Sequence, residues 1–263
     1  MSQRSSPLLA VAHWVRRTAV LLVGTVLLAL ILLLVWARQV AAADEPARFA
    51  LDSDEVVLVS RDPWISFRPR DGDPVTGVIF YPGGKAEPTA YAPILRNLAA
   101  RGYLVVMTPM PLNLAMLAPE RAARVMARFP DIRHWVIAGH SLGGVVAAEF
   151  AERHVHEVAG VMLWASFPAS FTDLSEAQFP VLSVSATADA LSTPAKIAAA
   201  RPLLPANTRY VVIEGGDHWN FGNFAPGKGT ATITRDRQQA VILSATEAFL
   251  DTISPAPADA DEP

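Results

Sequence analysis

The sequence predicts an α/β fold: a doubly wound, mostly parallel sheet with helices on both faces, preceded by one N-terminal transmembrane helix. Three observations carry this. Short apolar runs rich in Val, Ile and Leu alternate with helical patterns from Leu51 to Ile253. Those runs are apolar throughout instead of alternating, as a parallel sheet covered on both faces requires. And an uncharged run, "TAVLLVGTVLLALILLLVW" at Thr18–Trp36, stands ahead of everything else. Strand–helix–strand order with short loops then gives the doubly wound sandwich.

The apolar run comes first. At about 1.5 Å per residue its helix covers about 28 Å, close to the roughly 30 Å hydrocarbon core of a bilayer. Arg4, Arg16 and Arg17 precede it. That flank keeps residues 1–17 cytoplasmic and places everything after Ala37 on the extracytoplasmic side. The rival is a cleaved signal peptide, for which "AAAD" at Ala41–Asp44 supplies small residues and whose product is secreted. A signal peptide's apolar stretch is about 7–15 residues, so the longer run favours an uncleaved signal-anchor, residues 18–36. Residues 37–50, "ARQVAAADEPARFA", show no apolar period and are expected to form a solvated linker. Residues 254–263, "SPAPADADEP", read as a disordered tail.

Within 51–253, "VVLVS" and "WISFRP" predict an opening hairpin turned at Arg61-Asp62-Pro63. "VTGVIFY" is a buried strand. The helix "AYAPILRNLAARG" follows and ends at Gly102. "YLVVMTP" is a strand; "LAMLAPERAARVMARF" is helical, with Pro119 splitting it. "HWVIAG" leads into the helix "LGGVVAAEFAERH", whose small residues suit a face lying close to a sheet. "AGVMLWA", "PVLSVSA" and "TRYVVIEG" are three further strands. "TPAKIAAARPLL" and "RDRQQAVILSATEAFLDTI" are the remaining helices.

Composition excludes several classes. Hydrophobic residues make up 51% and charged residues only 18%, against roughly 25% charged in an average soluble protein. The excess is accounted for by the apolar run and a large core. Net charge is −3 with no basic block, which argues against a nucleic-acid partner. The absence of cysteine removes disulfides, thiolate metal sites and a cysteine nucleophile.

Ligands bind such sheets at the carboxyl ends of strands, and the candidate site residues all follow strands. "GHSLGG" runs from a strand into a helix. Gly-x-Ser-x-Gly in that setting is a nucleophile elbow, which holds Ser141 on a sharp turn at the tip of the sheet. Gly139 and Gly143 are expected because strand and helix leave no room there for a Cβ. The turn also points the Leu142 N–H, at a helix N-terminus, toward a developing oxyanion.

A serine hydroxyl needs a base to take its proton. His218, in the glycine loop "EGGDHWNF", is that candidate. His13 lies before the apolar run, His134 begins the elbow strand, His154 and His156 end a helix, and His140 is turned away from its neighbour by the elbow. The third member orients the imidazole. Asp189, after the strand "VLSVSA", is the candidate acid, with Asp173 the fallback. Asp217 is too close in sequence to reach its neighbour's ring, and Glu214 is expected to cap or pair locally. The loop "YPGGK" offers a second oxyanion donor, the N–H of Gly84, with that of Gly83 as runner-up. Lys85 beside it is either a solvated cation or an attractor of anionic substrates.

Together "YPGGK", "GHSLGG", "TAD" and "GGDHWNFG" resemble the motifs of the α/β-hydrolases, and the resemblance spans Leu51–Ile253. The order Ser141, Asp189, His218 is the order of that family's triad. The glycine turn is similar to the His-Gly-Gly turn of esterases and lipases, with Pro82 at the histidine's place. Within the family the chain is similar to a compact bacterial serine-hydrolase subgroup related to the dienelactone-hydrolase-like branch. That branch often uses cysteine, where this chain has serine. The resemblance implies hydrolysis of a small-molecule ester or related acyl bond through an acyl-enzyme, with no cofactor and no metal.

The span from Ala165 to Pro180 is too short for a cap domain, so "MPLNLAML", "SFPASF" and "NFGNF" are expected to shape an open, apolar pocket. Serine at the elbow excludes haloalkane dehalogenase and epoxide hydrolase chemistry, which need a carboxylate there. Thioester and peptide hydrolysis use the same three residues and stay open. So does an idle, membrane-tethered binding module with this fold. The sequence does not set the oligomeric state.

Overall fold

The computed structural model describes residues 7–225 and 229–253; residues 1–6 and the expected tail, Ser254–Pro263, lie outside them. The chain divides into two units, one up to Gln39 and one from Val40 onward. The first is a single helix, α1 (Pro7–Arg38). Its His13–Arg38 stretch contains an 18-residue window with a mean hydropathy of 3.0 and is long and apolar enough for a membrane span or a signal sequence. It outruns the expected Thr18–Trp36 because no proline interrupts the chain between Leu8 and Arg38.

The second unit starts earlier than expected. From residue 40 the segment anticipated as a solvated linker is bound into the domain. Ala41 bridges Ala86 in parallel and Ala43 bridges Phe224 antiparallel. A short helix, α2 (Glu45–Phe49), follows, with the Asp44 carboxylate accepting from the Ala47 N–H at 3.0 Å. The bonds that order residues 41–44 are main-chain bonds to distant loops, which composition does not reveal.

The hairpin forms as expected: β1 (Val57–Ser60) pairs antiparallel with β2 (Ile65–Pro69). Then come β3 (Thr76–Tyr81), α3 (Ala92–Ala99), β4 (Leu104–Met107), α4 (Arg121–Arg128), β5 (His134–His140) and α5 (Leu142–Arg153). β6 (Gly160–Trp164), β7 (Val181–Ala186), α6 (Pro194–Ala199), β8 (Arg209–Ile213) and α7 (Arg235–Ile253) complete the fold. Pro119 separates a single turn at Ala115–Leu117 from α4. The sheet has eight strands in the order β1-β2-β4-β3-β5-β6-β7-β8. β2 meets β4 antiparallel, and every pairing from β4 through β8 is parallel.

Period-two geometry sorts the strand side chains into two cores. Val78, Phe80, Val136, Ala138, Met162 and Trp164 face one side, with Leu95 of α3 and Phe249 of α7. Ile79, Tyr81, Ile137, Val161 and Leu163 face the other, with Val125 of α4 and Val146 and Phe150 of α5. Apart from His134, every residue of β3 to β7 is buried, which is why these strands read as largely apolar runs without polar alternation. α5 presents Gly143, Gly144, Ala147, Ala148 and Ala151 as buried residues, so its axis approaches the sheet closely. Between β6 and β7 there is no helix or strand, and the carboxyl end of the sheet carries no cap built from that connection.

Candidate active site

The carboxyl ends of β3, β5, β7 and β8 lead into the loops that hold Gly84, Ser141, Asp189 and His218. The elbow is strained as expected. Ser141 sits at φ 51°, ψ −125°, a region that costs a non-glycine residue about 1–3 kcal/mol and persists only when its surroundings enforce it. Here they do. The Ser141 N–H donates to Trp164 O at 3.0 Å, and its carbonyl accepts from the Gly144 N–H at 3.0 Å and from Ser166 Oγ at 2.7 Å. The glycines are sterically required. A Cβ on Gly139 would lie 2.4 Å from Gly143 C, and one on Gly143 would lie 2.0 Å from Tyr81 O.

Asp189 and His218 are brought together. His218 Nδ1 lies 2.8 Å from Asp189 Oδ2, and both residues are buried. An ionised carboxylate only accepts, so Nδ1 carries the proton and Nε2 is left with its lone pair. The other carboxylate oxygen, Oδ1, accepts from the N–H groups of Leu191 and Ser192, each at 2.7 Å. The acid is thus oriented from both ends. Among the described residues neither Ser141 Oγ nor His218 Nε2 has a hydrogen-bond partner. Ligand-free catalytic sites commonly leave this contact long and close it on substrate.

Asp217 has a different task. Its Oδ1 accepts from Trp219 N and Asn220 N at 3.1 and 3.0 Å, and its Oδ2 from Thr230 N and Ala231 N at 2.6 and 3.1 Å. Gln238 of α7 holds the Asp217 main chain in return, at 2.9 Å to its N–H and 2.8 Å to its carbonyl. Asp217 therefore shapes the loop that aims His218. The fallback acid Asp173 is exposed and bonded to the Ser175 N–H at 2.9 Å. His154 is engaged elsewhere: Glu157 and Glu120 bind its two ring nitrogens at 2.8 and 2.9 Å.

The glycine loop lies against the elbow. A Cβ on Gly84 would come within 2.8 Å of Leu142 Cδ2, so the Gly84 backbone abuts the residue that follows the serine. The Gly83 N–H is already committed, donating to Tyr91 Oη at 3.2 Å. The N–H groups of Gly84 and Leu142 have no acceptor among the described residues. Two main-chain donors beside a serine on a strained turn are what a developing oxyanion needs.

His140 was missed by the sequence reasoning, which set it aside because the elbow turns it away from Ser141. Its ring centroid is 4.5 Å from that of His218, and its Nδ1 is 2.8 Å from Tyr91 Oη. Burial holds this imidazole neutral, well below its ordinary pKa, and the nearby His218 adds to the effect. A sequence signal existed: His140 shares its strand face with Val136 and Ala138, which are core residues on the α3 and α7 side.

A cavity of about 390 Å³ adjoins the histidine loop, with Val40, Ala41, Trp219, Phe224, Ile233 and Arg235 in its walls. Neither Ser141 nor His218 lines it.

Residues 77–240 match the family model described as "Alpha/beta hydrolase family". The chain belongs to the α/β-hydrolase family. Solved structures agree on the fold. TT1662 from Thermus thermophilus superposes with a TM-score of 0.53 at 18% identity, covering 74% of this chain and 98% of that one. A thermophilic esterase from the Planctomycetes species Thermogutta terrifontis gives a TM-score of 0.51 at 16% identity, covering 78% of this α/β-hydrolase and 94% of its own chain. No curated protein matches by sequence.

Proposed function

We propose that this α/β-hydrolase is a membrane-anchored serine hydrolase. It cleaves an ester or related acyl bond of a small molecule through an acyl-enzyme, as a serine-bearing relative of the dienelactone-hydrolase-like branch. The observation that carries the reading is the 2.8 Å bond between His218 Nδ1 and the buried Asp189, made at the sheet end where Ser141 occupies a strained elbow. The esterase among the structural neighbours supports the same chemistry.

In this reading His218 Nε2 takes the Ser141 Oγ proton as Oγ bonds to the acyl carbon. Negative charge moves onto the acyl oxygen and is met by the N–H groups of Leu142 and Gly84. Loss of one such donor costs about 10²–10³-fold in rate. Collapse breaks the bond to the leaving group, which receives the proton from Nε2. A water then repeats the sequence on the acyl-enzyme and frees Ser141. Asp189 holds the imidazole in the required tautomer and stabilises its charged form. The apolar helix keeps the catalytic domain at the extracytoplasmic face of the membrane.

The test is labelling by a fluorophosphonate probe together with turnover of acyl esters of graded chain length, thioesters and amides. Ser141→Ala and His218→Ala should each lower kcat by roughly 10⁴–10⁶-fold, and the double variant little further, because the residues act as a unit. A wild-type protein that stays unlabelled and turns over none of the panel is instead an idle module with this fold.

A further inference from the structure

His140 and Tyr91 are both buried, and the acyl-transfer steps above use neither. Tyr91 comes from a single turn, Pro88–Tyr91, ahead of α3; its side chain is fully buried. Its ring packs on Phe80 at 4.9 Å and on Phe224 at 5.6 Å. The His140 ring lies between those of His218, at 4.5 Å, and Phe221, at 5.4 Å.

Donor accounting sets the direction of the bonds. Tyr91 Oη accepts the Gly83 N–H at 3.2 Å and lies 2.8 Å from His140 Nδ1. A proton on Nδ1 would leave both the phenol's hydrogen and the buried Nε2 without a partner, so the phenol's hydrogen is directed to Nδ1. His140 is then the neutral tautomer with its proton on Nε2. That nitrogen faces the main chain of His218 without reaching hydrogen-bonding geometry. A buried chain thus runs from the Gly83 N–H through the Tyr91 hydroxyl to an imidazole packed on the candidate base.

We propose that Tyr91 and His140 are positioning residues that hold the Gly83–Gly84 turn so that the Gly84 N–H faces the oxyanion. This deepens the serine-hydrolase reading and rests on it. A glycine pair is a poor anchor by itself, since it is free to take many backbone conformations. A Cβ on Gly83 would meet Tyr91 Oη and His140 Nδ1 at 2.8 Å each, so the pair touches the backbone directly. Capturing the Gly83 N–H leaves the Gly84 N–H as the loop's free donor, next to Leu142. Preorganised donors of this kind stabilise charge because they need not reorient during the reaction.

Tyr91→Phe keeps the ring packing and removes the hydroxyl. We expect kcat for an activated ester to fall about 10- to 100-fold, a part of the full loss when an oxyanion donor is deleted, with KM within about threefold. Affinity for a boronic acid, which forms a tetrahedral adduct on serine, should fall by the same factor as kcat/KM. His140→Asn places Oδ1 near the position of Nδ1 and should keep most of the rate, whereas His140→Leu should lose as much as Tyr91→Phe. The double variant Tyr91→Phe/His140→Leu should be no slower than either single one. A Tyr91→Phe enzyme with kcat within twofold of wild type overturns the assignment. So do equal losses in His140→Asn and His140→Leu, which remain informative if Tyr91→Phe fails to fold. A wild-type enzyme that Ser141-directed probes do not label overturns the hydrolase reading and this one with it; a labelled wild type with an unimpaired Tyr91→Phe overturns the positioning role alone.

Discussion

Gly143→Ala tests whether the elbow geometry matters for rate. The added methyl would stand 2.0 Å from Tyr81 O, 2.6 Å from Tyr81 C and 2.5 Å from Pro82 O. Real Cβ atoms essentially never approach a heavy atom closer than 3.0 Å, so the gap must open by about 1 Å. Every obstacle is backbone, and no side chain can swing aside. On one side of the gap is the first turn of α5, two residues from Ser141; on the other is the end of β3, three residues from Gly84. Whichever side yields, the proposed nucleophile or an oxyanion donor is displaced. A misplacement of about 1 Å can cost about 10²-fold, and overpacking a tight interior costs about 1–3 kcal/mol. We therefore expect fluorophosphonate labelling of Ser141 and ester turnover to slow about 100-fold, with a lower Tm. Ser185→Ala on β7, buried but away from the elbow, should do neither so severely. A Gly143→Ala protein labelled at the wild-type rate and melting with wild type would falsify the steric reasoning.

Asp189→Asn should fold normally and lose about 10⁴-fold in kcat, because the amide stabilises the wrong imidazole tautomer; Asp173→Asn should be silent, and the opposite pattern reverses the acid assignment. The native chain should stay with membranes after a carbonate wash and begin near Met1, so N-terminal sequencing that starts at Asp44 would establish the cleaved form. Burial depresses the His140 pKa far below 6.5, so the unfolded chain takes up the proton first. The stability this residue contributes is complete above pH 6.5 and is lost as pH falls, at up to about 1.4 kcal/mol per pH unit. Urea midpoints between pH 6.5 and 5 should show a shallower slope for His140→Asn than for wild type, and equal slopes refute the buried neutral assignment. His154 does not confound this window. Burial opposes its charge, but the bonds to Glu157 and Glu120 prevail and raise its pKa. Its contribution is therefore present below pH 6.5 and fades only as pH rises through the raised value.

The sheet was readable because parallel strands bury both faces. β3, with every residue buried, is apolar from Gly77 to Tyr81, β6 is apolar throughout, and β7 is broken only by the small buried Ser183 and Ser185. The elbow was readable because close approach forces glycine at two positions around one serine, Gly139 of β5 against α5 and Gly143 of α5 against the end of β3. Asp189 was picked out by its place after a strand, and Asp217 set aside by its distance along the chain; the four N–H groups that occupy Asp217 give that choice a structural reason. What escaped notice depends on partners far apart in sequence. Tyr91 and His140 are 49 residues apart, and a tyrosine before a helix carries no mark of the imidazole it will meet. Residues 41–44 escaped for the same reason, since an alanine run bound through its main chain looks like one that is solvated.

That alanine run bears on how the protein is processed. Ala41 N donates to Lys85 O at 2.8 Å, and Glu87 N donates to Ala41 O at 2.9 Å. The Ala43 N–H donates to Glu87 Oε2 at 2.8 Å. On the other side Ala225 N donates to Ala42 O, and Asp44 N to Asn223 O, each at 2.9 Å. The same few residues thus hold the loop that carries Gly84 and the segment that follows His218. Net contributions of about 0.5–1.5 kcal/mol per bond make this a brace of consequence for both loops, beside the bonds of Tyr91 to one and of Asp217 and Gln238 to the other. Cleavage before Asp44 would remove Ala41, Ala42 and Ala43 and with them every one of these bonds to the Gly84 loop, leaving the segment after His218 only the bonds of Asp44. The anchored and the secreted readings therefore describe two different active sites, one with the whole brace and one with part of it.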